Sequence, residues 1–258
     1  MNNKKTLVCS FPKARTYLIA NVLSDLGLTN LGWHIGFDKT MISSHDDEKI
    51  VDFKMPLDDV KGITRAVEIN CNMAFNMMPP RSFAVSHLPP HVISPNALRE
   101  FQFIFLFRDP RNCMISTFKY MRDILPEEPS YRRVADIKEV QTQFEAYLEN
   151  EMEVSVRLWN DMLNWRLIKN ALSINMDTLA GEEDGGRITS AIAEFVGLKK
   201  VATDPARATK IYRGATGRGS PTKNLNSPTQ ITWSDACEDI FRRFGGGYLA
   251  DKLIHYAL

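Results

Sequence analysis

A chain of 258 residues can bury one substantial core, and its 44% hydrophobic and 24% charged residues are typical of a globular protein, which excludes a disordered or fibrous chain. Its 32 basic and 31 acidic residues give a net charge of +1, so no general attraction to nucleic acid or to an anionic membrane is expected. Any site for an anion must therefore be local. We expect residues 1–258 to form a single domain.

The N-terminus and the cysteines indicate the compartment. The first six residues are polar, and the apolar run after them ends at Pro12, which predicts neither a signal peptide nor a membrane span. Four cysteines are scattered without close pairing, at Cys9, Cys71, Cys113 and Cys237. Such spacing is typical of reduced thiols and not of a disulfide framework or a zinc site. We therefore expect a cytoplasmic protein that holds no metal.

The first part of the chain alternates between strand and helix patterns. Residues 6–11 form an apolar run, residues 12–15 a basic turn, and residues 16–26 carry apolar side chains at helical spacing. Two further strands are predicted over residues 82–86 and 103–107. The second of these is apolar throughout, which is typical of a central strand covered on both faces. This alternation predicts a parallel sheet.

The second part continues the pattern. The predicted elements are helices over residues 110–123, 136–170, 188–196 and 234–244 and a strand over residues 171–176. Residues 213–229 are rich in Gly, Ser, Thr, Asn and Pro, which predicts a loop. The fold class is therefore α/β, with a central parallel sheet flanked by helices.

Residues 10–16, with the sequence SFPKART, join the first strand to the first helix. Free backbone N–H groups and the positive end of the helix meet there, which favours binding of phosphate or sulfate. Lys13 and Arg15 add positive charge. The hydroxyls of Thr16 and Tyr17 can donate hydrogen bonds to an anion. A solvated basic turn with Thr16 as the helix cap explains the same residues, so the loop alone leaves both interpretations open.

A second motif, Arg-Asp-Pro-Arg over residues 108–111, follows the strand predicted to be central. Arg108 would lie at the carboxyl edge of the sheet, where α/β proteins bind ligands, and Ser116 on the next helix can face the same point. Together they could hold one phosphate. Alternatively, Arg108 pairs with Asp109 for structural reasons and Ser116 only packs.

These motifs resemble those of the sulfotransferases that use 3′-phosphoadenosine 5′-phosphosulfate (PAPS). Residues 10–16 resemble the family's phosphosulfate loop, Tyr-Pro-Lys-Ser-Gly-Thr-Thr-Trp, and residues 108–116 resemble its 3′-phosphate motif. Residues 86–89, Ser-His-Leu-Pro, are similar to the Lys-Thr-His-Leu-Pro segment that carries the catalytic base. Residues 212–218 resemble a degenerate form of the Arg-Lys-Gly loop that closes over the 3′-phosphate. The resemblance extends over residues 7–226.

The resemblance implies a P-loop-like strand-loop-helix and an in-line sulfuryl transfer from PAPS to a hydroxyl or amine of a small-molecule acceptor, releasing 3′-phosphoadenosine 5′-phosphate (PAP) without a metal. His87 would be the base, and Lys13 would stabilise the leaving phosphate. The implied donor-binding residues are Lys13, Ala14, Arg15, Thr16, Tyr17, Arg108, Ser116, Arg213 and Gly214.

The sequence departs from the family pattern at several positions, which indicates a divergent branch. Arg15 replaces the loop glycine, and Leu18 replaces the tryptophan that stacks on adenine. Val85 replaces the lysine two residues before the histidine. Residues 175–177, Asn-Met-Asp, stand where many members carry Tyr-Glu-Asp.

Rival interpretations remain open at this point. Cys9 and Arg15 have the Cys-x5-Arg spacing of cysteine phosphatases, in which Cys9 would be the nucleophile, although Pro12 removes one phosphate-cradling N–H. A P-loop kinase ranks lower because the Gly-Lys-Ser/Thr sequence is absent. A catalytically inactive nucleotide-binding regulator is compatible with the changes at Leu18 and Val85.

The sequence says less about the acceptor and the assembly. Residues 30–76 and 125–136 are expected to be loops that line the acceptor site. Acidic residues at positions 46–48, 52, 58 and 59 are typical of a solvated loop and are also compatible with a cationic acceptor, such as an amine or guanidinium-bearing natural product. The other histidines have no comparable context and are interpreted as structural: His34, His45, His91 and His255. The oligomeric state is not predicted.

Overall fold

The computed structural model describes residues 4–43, 58–60, 64–67, 69–218 and 231–254. Eight strands form one sheet in the order β4-β5-β3-β2-β6-β1-β7-β8. The strands are β1 (Lys5–Ser10), β2 (Thr29–Ile35), β3 (Thr40–Ser43), β4 (Asp58–Val60), β5 (Thr64–Val67), β6 (Ser82–Ser86), β7 (Phe101–Phe107) and β8 (Ala171–Asn175).

Helices cover both faces of the sheet. They are α1 (Thr16–Asp25), α2 (Cys71–Met77), α3 (Pro95–Glu100), α4 (Pro110–Ile124), α5 (Pro129–Arg132), α6 (Val140–Leu163), α7 (Glu182–Phe195), α8 (Lys199–Ala202), α9 (Pro205–Gly217), α10 (Asp235–Arg243) and α11 (Gly246–Ile254). Within these ranges, no helix is both long enough and apolar enough to cross a membrane.

The sheet confirms the predicted α/β class and is mostly parallel. Strands β2, β6, β1, β7 and β8 pair in parallel, and β3, β5 and β4 extend one edge antiparallel. The four predicted strands are β1, β6, β7 and β8. In β7 every residue is buried, as expected for a strand covered on both faces.

Residues 30–76 contain more regular structure than the sequence indicated. The expectation of a loop was wrong there, because β2, β3, β4, β5 and α2 lie in this segment. In β2 the strand pattern is interrupted: Gly32 has a φ of 66°, its N–H bonds to the Asn30 side chain, and the register with β6 shifts between Asn30 and His34. The acidic positions 46–48 and 52 and His45 lie outside the described residues.

The C-terminal third also differs from the prediction. Residues 213–217 were expected in a loop but belong to α9, which packs against α7 and α1; the Asn21 side chain donates to the Ala215 carbonyl at 3.3 Å. These tertiary contacts outweigh the low helix propensity of Gly214 and Gly217. Helix α11 was not predicted because it opens with two glycines. A Cβ at Gly246 would lie 2.1 Å from the Phe241 ring, which explains this glycine.

Glu238 joins α10 to the rest of the protein. Its carboxylate accepts hydrogen bonds from the Arg111 Nε at 2.9 Å, the Arg242 Nε at 2.8 Å and the Trp233 Nε1 at 2.9 Å. The Arg111 guanidinium also lies over the Phe241 ring. The hydrogen bonds from Arg111 lower the pKa of Glu238 to about 2, and those from Arg242 and Trp233 add to the shift.

Replacing this carboxylate should make the protein less stable in a pH-dependent way. Because the folded-state pKa of Glu238 lies below the unfolded one, its contribution is present above about pH 4.5 and disappears as the pH falls towards 2. We expect Glu238→Gln to lower the free energy of unfolding at pH 7 by about 1–2 kcal/mol, a figure reduced because the carboxylate is partly exposed. Urea unfolding followed by tryptophan fluorescence measures this. Glu149→Gln, which breaks an exposed pair with Arg243, is the control and should cost less than about 0.5 kcal/mol. Equal losses in both variants would contradict the prediction.

Candidate active site

The loop between β1 and α1 lies at the carboxyl edge of the sheet. The Phe11 N–H donates to the Leu106 carbonyl of β7 at 3.0 Å, and the Ala14 N–H donates back to the Phe11 carbonyl at 3.1 Å, so the loop turns tightly. Lys13 and Arg15 are left-handed, with φ values of 64° and 60°. Arg15 thus adopts a left-handed backbone conformation that glycine adopts freely, at a cost of roughly 1–2 kcal/mol. The loop therefore reaches its tight turn without a glycine.

Lys13 is a half-buried cation with no acidic partner within the described ranges. Its Nζ lies 3.2 Å from the centroid of the Tyr120 ring on α4. Burial lowers the pKa of Lys13 to about 8, because the ring compensates for lost hydration less well than a carboxylate would. An ammonium group in this position attracts an external anion.

The other residues of the loop divide into two groups. Ala14 and Thr16 are buried, and the Thr16 hydroxyl lies 2.6 Å from the Ser10 hydroxyl, so Thr16 ties the helix start to the end of β1. Arg15 and Tyr17 are exposed. The Arg15 charge acts on Tyr212 of α9, whose pKa burial raises and Arg15 lowers. The charge of Arg15 therefore acts on α9, the helix that contains residues 213 and 214.

His87 follows β6, the strand beside β1, and its ring lies next to the Lys13 loop. Its Nδ1 lies 2.6 Å from the Ser10 carbonyl oxygen, which can only accept, so Nδ1 carries the proton and Nε2 is left as the acceptor. Burial lowers the pKa of His87 to about 4, the Ser10 carbonyl opposes this, and the charge of Lys13 adds to it. The imidazole is neutral at pH 7 and able to take up a proton.

The two arginines of the second motif differ in their contacts: Arg108 keeps donors without a partner in the described residues, whereas Arg111 is bound into the packing of α10. Arg108, at the end of β7, bonds through Nε to Asp177 at 3.1 Å, and the Asp109 N–H donates to the same carboxylate. Within the described ranges the two terminal amino groups of Arg108 have no partner, and the half-buried Ser116 hydroxyl has none either. Arg111 is bound to Glu238 and serves the packing of α10. The pairing of Arg108 with Asp109 that the sequence left open is replaced by pairing with Asp177.

Arg213 and Gly214 lie on α9, away from any loop. On the protein surface, Nε and one terminal amino group of Arg213 donate to the Glu182 carboxylate at the start of α7, at 3.0 and 2.6 Å. Gly214 faces Asp25 of α1. In this arrangement neither residue contacts Lys13, Arg108 or Ser116, so their assignment to the donor site stays a prediction.

The cysteine interpretation finds no support in the geometry. All four cysteines are free and buried, and burial raises the pKa of the Cys9 thiol well above its usual value, which disfavours a thiolate nucleophile. Leu18, at the position of the adenine-stacking tryptophan, packs against the core. Within the part of the chain that is described, no group of three or more His, Cys, Asp or Glu is placed to hold a metal ion.

Two side chains at this edge were missed by the sequence analysis. Tyr120 could have been found, because it follows Ser116 by four residues and therefore shares its helix face. His34 was interpreted as structural, yet its ring centroid lies 4.6 Å from that of His87. It had no usable signal, because β2 was not recognised as a strand.

The mostly parallel sheet, with a cationic loop and a neutral histidine at its carboxyl edge, defines an α/β protein with a cationic site at the end of its central strands. Residues 3–209 match the family described as sulfotransferase domain. Because this match spans most of the sequence, the chain belongs to the sulfotransferase family, and the predictions of this family and of an enzyme are confirmed. The segment containing Arg213 and Gly214 lies beyond the matched residues. No curated protein matches the sequence.

Solved structures with the same fold agree with this assignment. The chain is 15% identical to mouse sulfotransferase SULT7A1 complexed with PAP, with a TM-score of 0.58 over 95% of this chain and 84% of that one. It is 15% identical to retinol dehydratase complexed with retinol and PAP, with a TM-score of 0.54 over 95% and 71% of the two chains. Retinol dehydratase with androsterone and PAP gives 16% identity, a TM-score of 0.54 and the same coverage.

Proposed function

We propose that the chain transfers the sulfuryl group of PAPS to a hydroxyl or amine of a small-molecule acceptor. The observation that carries this proposal is that Lys13, a half-buried cation without an acidic partner in the described ranges, lies close enough to His87 for its charge to act on the imidazole. Lys13 can hold the anionic donor, and Nε2 of His87 can take up the proton of the acceptor. In the proposal the protein acts in the cytoplasm as one domain over residues 1–258.

The donor fits the unused polar groups of the site. Lys13 with the loop residues Ala14, Arg15, Thr16 and Tyr17 would hold the phosphosulfate end. The terminal amino groups of Arg108 and the hydroxyl of Ser116 would hold the 3′-phosphate. We include Arg213 and Gly214 among the residues that would hold the 3′-phosphate. Arg213 would first have to break its ion pair with Glu182, which costs little because the pair is exposed.

The proposed reaction is an in-line displacement. The acceptor oxygen or nitrogen bonds to sulfur while the bond between sulfur and the phosphate oxygen breaks, and the acceptor's proton passes to Nε2 of His87. Lys13 stabilises the negative charge that the leaving phosphate gains. The Ser10 carbonyl keeps Nδ1 protonated, so that the imidazolium formed is held by a hydrogen bond.

Retinol and androsterone, which occur in the retinol dehydratase complexes, are small molecules, and this supports a small-molecule acceptor here. The exposed Tyr17 and the ring of Tyr120 beside Lys13 offer aromatic surface near the reacting end. In the proposal, a cationic acceptor would be drawn by acidic residues 46–48, 52, 58 and 59, and natural products of secondary metabolism are the class to screen.

The donor site is tested by its discrimination between PAP and AMP, which differ by the 3′-phosphate. Because charged hydrogen bonds contribute about 1.5–3 kcal/mol each, we expect wild type to bind PAP about 10–100-fold more tightly than AMP in calorimetric titrations. Arg108→Gln should remove most of this preference by weakening PAP binding and leaving AMP binding nearly unchanged.

Arg99→Gln is the matched control, because Arg99 lies on α3 just before the amino end of β7, at the opposite edge of the sheet. It should leave the PAP preference intact. Equal affinity of wild type for PAP and AMP would overturn the donor assignment. Tight PAP binding without transfer of labelled sulfate to 2-naphthol, 2-naphthylamine or a broad acceptor panel would favour a catalytically inactive regulator.

A further inference from the structure

His34 and His87 form a contact pair at the reacting end of the site. Their ring centroids lie 4.6 Å apart with an interplanar angle of 66°. His34 is the register partner of Val85, two residues before His87, so β2 and β6 direct both side chains to the same face of the sheet. Both rings are half-buried. The strand order β2-β6-β1 brings three neighbouring carboxyl ends to one point.

The contact with His34 restrains a ring whose polar contacts are all with Ser10 within the described residues. The hydrogen bond from Nδ1 to the Ser10 carbonyl fixes one atom of the His87 ring, at 2.6 Å. Rotation of the ring about its bond to Cβ would break this bond, and the His34 ring stands against that rotation. With both contacts in place, Nε2 keeps one direction, which is what a general base needs.

Burial and the neighbouring charges keep His34 neutral. Burial is the main cause that lowers the pKa of His34, and together with the charges of His87 and Lys13 it brings the pKa to about 3. His87, directly after β6, and Lys13 in the loop are the titratable groups that act on His34 within the described ranges. Two imidazolium ions in contact beside an ammonium would repel one another, so His34 remains uncharged when His87 takes up a proton.

We propose that His34 is a positioning residue that fixes the plane of the His87 ring through ring contact and thereby keeps Nδ1 on the Ser10 carbonyl, which sets the tautomer. The proposal rests on the proposed role of His87 as the base. It also gives a physical account of the change at Val85: the position of the lysine found in the resembled segment is apolar here, and an imidazole from the neighbouring strand stands beside it. His34 acts through His87 and is not itself a proton acceptor in the reaction.

The state of the His87 ring can be measured without any acceptor. In the full chain labelled with 15N-histidine, wild-type His87 should show the Nδ1-protonated tautomer at pH 7 and a pKa near 4. In His34→Ala, water reaches the ring, so the tautomers should mix and the pKa of His87 should rise by about one unit or more. His34→Phe keeps the ring contact and should retain the single tautomer. An unchanged tautomer and pKa in His34→Ala would overturn the proposal.

Turnover measurements distinguish a failure of this proposal from a failure of the proposed function. With labelled PAPS and 2-naphthol, His34→Ala should lower kcat about tenfold with little change in PAP affinity, and His34→Phe should recover most of kcat. His91→Ala, at an exposed histidine outside the site, is the control. If His34→Ala is as inactive as a His87 variant while His34→Phe gives no recovery, the positioning role is wrong. If His87 variants keep full turnover, the base assignment fails instead.

Discussion

Replacing His87 by asparagine should lower kcat by at least about 100-fold, because a positioned general base contributes about 10²–10⁴ in rate. Asparagine can still donate a hydrogen bond to the Ser10 carbonyl, so the end of β1 keeps its partner. Its amide cannot take up the acceptor's proton. PAP affinity, measured by calorimetry, should change less than about threefold, because His87 is proposed to act on the acceptor and not on the donor.

An ionised acceptor makes this test sharper. A nitrophenol that is deprotonated at the assay pH needs no base, so the loss in the His87→Asn variant should be much smaller with it than with 2-naphthol. His91→Asn is the matched control for replacing a histidine. Equal losses with both acceptors would mean that His87 supports the structure of the site and does not move the proton.

The central part of the fold could be predicted from sequence because its signals are local. Strands β1, β6 and β7 each contain a run of consecutive apolar residues, and the Lys13 loop and the Arg108 motif directly follow β1 and β7. In a parallel sheet, neighbouring strands that end in polar residues must bring those residues to one edge. The approach of His87 to the Lys13 loop therefore follows from order in the chain and from strand adjacency.

The other parts of the fold and of the site depend on tertiary contacts, which leave no local pattern in the sequence. Strand β2 contains Gly32 and a register shift, so its alternation is lost and His34 had no place in the predicted site. Residues 213–217 look like a loop because of their glycines, yet contacts with α1 and α7 keep them helical. The sequence also could not show that Arg111 is bound into the packing while Arg108 keeps unused donors. This difference depends on their partners Glu238 and Asp177, which come from distant segments of the chain.

Replacing Lys13 by methionine should lower kcat/KM for PAPS by about 10²–10³-fold, because it removes the charge proposed to stabilise the negative charge that develops on the leaving phosphate. Methionine keeps a side chain of similar length that can pack on the Tyr120 ring, so the fold should not change. Lys13→Arg keeps a charge but not the compact ammonium, and should recover only part of the rate. Lys169→Met, an exposed lysine that precedes the amino end of β8, is the control and should behave as wild type.

The pH dependence of donor binding gives this role a signature that simple loss of packing would not produce. The pKa of Lys13 in the free protein is about 8 because burial disfavours the charged form. Below that pH the ammonium is present before the donor arrives; above it, binding of the anion must be coupled to uptake of a proton. PAP affinity should therefore fall by up to about tenfold per pH unit above pH 8 in wild type.

The same experiment identifies the group that titrates. Burial raises the pKa values of Tyr17 and Tyr120, and of the Cys9 thiol, so these neighbours stay protonated where Lys13 loses its proton. The second ionisation of a phosphate is complete by pH 8, so the ligand's charge is constant there. In Lys13→Met the affinity for PAP should be lower and independent of pH between 7.5 and 9.5, whereas a fall parallel to that of wild type would assign the titration to another group. Burial makes the charged form of Lys13 unfavourable in the free protein. Binding of the anionic donor would offset this cost, because the anion stabilises the ammonium.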